Sequence, residues 1–164
     1  MTNSITSLAD LREYAQVELG GYDWVLWQRM SNGPSLNPSG DRQLPGCRIT
    51  EVAGQAGEAA TYDVLFEHAT LRDLRVNRRG IASLEDAVTW ATGFQWATRQ
   101  AGSLTWWAES AEARQWHAKI GASQATVFQS DFGASYTVTR EMQLGNQLVQ
   151  FKITDLAYVN RPGI

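Results

Sequence analysis

The alternation of apolar and polar positions is cleanest near the end of the chain. From Gln147 to Leu156, Leu148, Gln150 and Lys152 oppose Val149, Phe151 and Ile153, and Gly145-Asn146 supplies a tight turn before them. A longer strand is predicted at Ser135–Leu144, and a shorter one at Ala125–Gln129 before an Asp131-Phe132-Gly133 turn. Strands are also predicted at Tyr22–Arg29, Cys47–Ala53 and Thr61–Glu67, the last two joined by a loose turn over Gly54–Ala60. Helical spacing appears at Ser7–Leu19. Ser7 is a cap, Leu8, Leu11, Ala15 and Leu19 fall near one face, and Gly20-Gly21 is a stop. Between Ser31 and Gly46 three prolines and three glycines predict a long loop.

The stretch Leu71–Gly121 organises the expected topology. Leu71, Leu74 and Val76 suggest a strand, followed by a glycine turn with Arg78 and Arg79. Ser83 and Asp86 form an approximate capping box that opens a helix running to Gly102. Ser103–Ala108 reads as a short strand, and Ser110 caps a second helix ending at Gly121. Such a βαβα order predicts a parallel strand pair with the first helix as its crossover.

Composition narrows the function classes. A chain of 164 residues with 43% apolar content is expected to form one domain, 1–164, with a sizeable core. A net charge of −3 argues against bulk attraction to nucleic acid or a membrane surface. Only a local basic patch, Arg72, Arg75, Arg78 and Arg79, could grip a phosphate backbone. One cysteine, Cys47, excludes an intrachain disulfide, and two histidines without clustered carboxylates give no catalytic metal pattern. No apolar run approaches a membrane span and no leader pattern is present, so a cytoplasmic location is expected. Seven tryptophans suit core packing first and a subunit or assembly interface second.

The segment Ser110–Ala122, S-A-E-A-R-Q-W-H-A-K-I-G-A, resembles the last helix of the GNAT superfamily, the GCN5-related N-acetyltransferases. Ala113, Lys119, Ile120 and Gly121 match the motif, Ser110 stands for its Asn, and His117 occupies its Tyr position. Arg79-Gly80-Ile81-Ala82-Ser83 resembles the family's pyrophosphate loop, although Asn77 stands where that loop carries Arg or Gln. The resemblance covers about residues 65 to 155. It implies an α+β fold, a GNAT-like mixed sheet of six to seven strands with one parallel pair and helices packed on its faces. It also implies acetyl-CoA held by Arg78, Arg79, Gly80, Ile81, Ala82 and Ser83, with acyl transfer to a primary amine. In that reading His117 is the general acid, Glu67 and His68 are the nearest candidates for the general base, and Glu51 and Glu109 are further carboxylate candidates. The alternative is a non-enzymatic structural or assembly protein, for example of a phage particle, docking as a homo-oligomer or on a partner through exposed tryptophan.

Overall fold

The computed structural model describes residues 5–29, 33–101, 103–121, 123–130, 133–144 and 147–155. The chain forms two compact units, Met1–Phe94 and Gln95–Ile164. Each carries a six-stranded sheet in which every strand pairs antiparallel with its neighbour in sequence.

In the first unit the sheet runs β1 (Gln16–Leu19), β2 (Tyr22–Arg29), β3 (Gly33–Pro38), β4 (Cys47–Val52), β5 (Thr61–Glu67) and β6 (Arg75–Ile81). The β1–β2 turn is Gly20-Gly21, both at positive φ (61° and 81°), which a two-residue hairpin turn of this twist requires. The inner face is apolar because alternate positions are apolar. Trp24, Leu26, Leu36, Cys47, Ile49, Val64 and Phe66 are buried there. The helix α1 (Leu84–Gly93) packs on β4, β5 and β6, with Leu84, Ala87, Val88 and Ala91 buried. Ser83 caps α1 by accepting from the Asp86 amide at 3.1 Å, while its hydroxyl donates to Asp86 Oδ2 at 2.8 Å. Trp90 and Phe94 stack at 5.4 Å, and Phe94 stacks on Phe66 at 4.6 Å, pinning the helix end to β5.

The second unit is the meander β7 (Ala97–Ala101), β8 (Leu104–Ala108), β9 (Gln115–Ile120), β10 (Ser123–Ser130), β11 (Gly133–Leu144) and β12 (Gln147–Asp155).

These sheets overturn the expected mixed sheet with one parallel pair and helices on its faces. Residues 75–76 sit in the first sheet, and Leu104–Ala108 sits in the second, antiparallel to β7 and β9. The helix expected over 83–101 ends at Gly93, where the aromatic cluster holds Phe94 in extended backbone and the chain turns into β7. The Ser110–Gly121 helix is also corrected. A turn closed by the Ala113 amide on the Ser110 carbonyl leads into β9, whose residues pair with both β8 and β10. Ladders on two sides outweigh the modest helix preference of an alanine-containing stretch. The helix expected at 7–19 fails at Tyr14, whose φ of 62° is left-handed and whose amide donates to the Leu26 carbonyl. The expected loop 31–46 contains β3. The turn positions Asp131-Phe132, Gly145-Asn146 and the tail from Leu156 lie outside the described residues.

Candidate functional site

The loop expected to hold a pyrophosphate is mostly strand. Arg78, Arg79, Gly80 and Ile81 lie in β6, Ala82 is a bend, and Ser83 is the helix cap. Tyr62 pairs with Ile81 and Val64 with Arg78, so Arg79 and Gly80 together oppose Asp63 in a bulge. Gly80 adopts φ +70°, and its N–H donates to Asp63 Oδ1 at 2.9 Å. The carboxylate on that amide is therefore the chain's own. Gly80→Val should lower the thermal midpoint of this unit by the equivalent of about 1–2 kcal/mol, the cost of left-handed backbone for a residue with a Cβ. A Cβ there meets nothing within 4 Å, so the loss comes from the backbone alone. An unchanged midpoint would show that the bulge relaxes freely.

Glu67 ends β5 and is exposed, its amide donating to the Gly46 carbonyl at 2.9 Å. The neighbouring His68 accepts at Nδ1 from the Thr70 and Leu71 amides, each at 3.3 Å, and burial lowers its pKa. An Nδ1 that accepts carries no proton, so the geometry and the lowered pKa agree on a neutral ring. His117, expected on a helix one turn before Gly121, is instead a β9 residue, 3% exposed, with Nδ1 3.0 Å from Thr126 Oγ1 on the paired strand. Glu67 and His117 belong to different units.

The first sheet has a second face, and it carries the site that sequence reasoning missed. Register places Trp27, Ser35, Thr50 and Asp63 in one cross-strand row, and Arg48, Leu65 and Asn77 in the next. A groove of about 580 Å³ opens on this face, lined among others by Ser35, Arg48, Thr50, Asp63, Asn77 and Arg79. Its volume lies within the roughly 300–1,000 Å³ range of ligand sites, though its lining is more polar than usual for small-molecule pockets. Arg48 is half-buried and Arg79 exposed, and neither guanidinium has a hydrogen-bond or ion-pair partner among the described residues. Trp27, at 37% the most exposed of the seven tryptophans, stands at the head of the first row. Trp90, Trp96, Trp106, Trp107 and Trp116 are all half-buried.

Beneath the groove, Glu51 points to the opposite face. It is 6% exposed, and Oε2 accepts from the Leu8 amide at 2.6 Å and the Tyr62 hydroxyl at 2.9 Å. Ser7 Oγ lies 3.1 Å from Oε1. This buried carboxylate ties the segment before β1 to the middle of the sheet. Its inward position is readable from the Cys47, Ile49, Glu51 alternation, but its partners lie far away in sequence.

No group of histidine, cysteine or carboxylate side chains among the described residues is arranged to hold a metal ion. Among them no helix is long and apolar enough to cross a membrane. No protein-family model, curated protein or solved structure matches this chain.

Proposed function

We propose that this chain is a non-enzymatic assembly protein that docks through the outer face of its first sheet. The observation that carries the reading is the open polar groove on that face, built across β3 to β6 of a sheet fixed from behind by α1. Side chains on a paired sheet hold their spacing, which suits docking. Two of the groups singled out for acyl transfer are engaged otherwise. The Gly80 amide is bound to Asp63, and His117 is buried against Thr126.

Sedimentation velocity with acetyl-CoA calorimetry on the full chain tests this reading. Concentration-dependent self-association is expected up to about 100 µM, where a micromolar contact is largely formed. Thr50→Trp, which fills the groove floor, should abolish it, and acetyl-CoA should give no binding heat. A chain that stays monomeric, binds acetyl-CoA and acetylates an amine would overturn the proposal.

A further inference from the structure

Resting on that docking reading, we infer that the groove takes a carboxylate, carried by an extended acidic segment of the docked partner. Arg48 on β4 and Arg79 on β6 flank β5, so their strands are about 10 Å apart at sheet spacing. Both side chains line the same groove and are long enough to converge over Leu65. Each guanidinium offers a fork of donors that matches a carboxylate. Neither fork is occupied by a side chain among the described residues.

Charge selects the ligand class. Of the ionisable side chains directed into the groove, Arg48 and Arg79 are cations and Asp63 is an anion. Glu51 contributes only backbone, because its carboxylate is held on the other face by Leu8 and Tyr62. The groove therefore has a net charge of +1, which a monoanionic carboxylate balances. A phosphate dianion would leave an excess negative charge beside Asp63. Ser35, Thr50 and Asn77 supply the hydroxyl and amide groups that peptide backbone needs on either side of the acidic residue.

The test is fluorescence anisotropy with a fluorescein-labelled Gly-Glu-Gly-Glu-Gly peptide on the full chain, with Gly-Lys-Gly-Lys-Gly as the control. Saturable binding of the glutamate peptide alone is expected. Arg48→Ala and Arg79→Ala should each weaken it at least about tenfold, the scale of one lost charge-assisted contact. Both positions are on the solvent face, and circular dichroism melts check that the variants fold. Unlabelled acetate should compete better than inorganic phosphate at equal concentration. No saturable binding at millimolar protein, or binding unchanged in both arginine variants, overturns the inference. Stronger competition by phosphate overturns its carboxylate identity. Self-association without peptide binding would leave the docking reading standing and this inference refuted, whereas peptide binding by a strictly monomeric chain would do the reverse.

Discussion

Glu51→Ala is expected to lower the stability of the first unit by about 3–5 kcal/mol. The carboxylate accepts from three donors, the Leu8 amide at 2.6 Å, the Tyr62 hydroxyl at 2.9 Å and the Ser7 hydroxyl at 3.1 Å. A hydrogen bond to a charged group contributes about 1.5–3 kcal/mol, and a buried donor left without an acceptor costs about 1–3 kcal/mol more. The three donors do not suffer equally. Tyr62 can turn to the Thr6 carbonyl, 3.0 Å away, and Ser7 is half-buried and can reach water. Leu8 is fully buried and its amide has no other acceptor among the described residues, so most of the loss belongs there. For a unit of this size each kcal/mol moves the midpoint by roughly 4–8 °C, so a fall on the order of 20 °C is expected by calorimetry. Glu51→Gln keeps one carbonyl oxygen for Leu8 and should recover part of it. Amide exchange should show residues 5–14 opening first in the alanine variant. A loss below about 1 kcal/mol would mean the segment is held by the burial of Leu8 alone.

What the sequence made legible was local. Alternation located β2, β4, β5, β8 and the strands after Gly121, and the Ser83–Asp86 spacing located the start of α1. The rest depended on pairing. Ser110–Gly121 carries a cap residue at one end and a glycine stop at the other, and only the two partner strands make its second half β9. The left-handed Tyr14 that stops a helix at 7–19 is fixed by a bond to Leu26, which no local pattern announces. Arg79 and Gly80 looked like an anion loop because glycine and arginine both suit one. The occupant, Asp63, comes from a strand 17 residues earlier, through a bulge that sequence spacing does not encode. The groove was invisible for the same reason. Arg48, Asp63 and Arg79 are spread over three strands, and only the register brings them to one face.

Stability should fall steeply between about pH 9 and pH 12, and the buried thiol of Cys47 should account for much of the slope. Burial raises Cys47 from 9.0 to about 12, and Tyr62 from 10.0 to about 12, the latter with help from its hydrogen bond to Glu51 and that carboxylate's charge. Both groups are neutral when protonated, so raised values mean that the folded chain keeps these protons where the unfolded chain has released them. The stabilisation is complete below the unfolded values, near pH 9 for the thiol and near pH 10 for the phenol, and disappears as the pH climbs to about 12. Each tenfold gain in proton affinity on folding corresponds to about 1.36 kcal/mol, so the thiol alone can remove up to about 4 kcal/mol across that window. Urea unfolding followed from pH 8 to pH 11.5 measures it. Cys47→Ala will be less stable at pH 8, because a buried sulfur is lost, but its profile should be flatter above pH 9. Tyr62→Phe should flatten the curve only above pH 10. A slope unchanged in Cys47→Ala would show that the thiol titrates normally and is reached by water. The same burial predicts that a thiol reagent at pH 8 modifies Cys47 only as fast as the first unit opens, since the thiolate is the reactive form and the residue is 1% exposed. Faster labelling in Glu51→Ala than in the native chain would then tie the carboxylate clasp and the buried thiol to one cooperative unit.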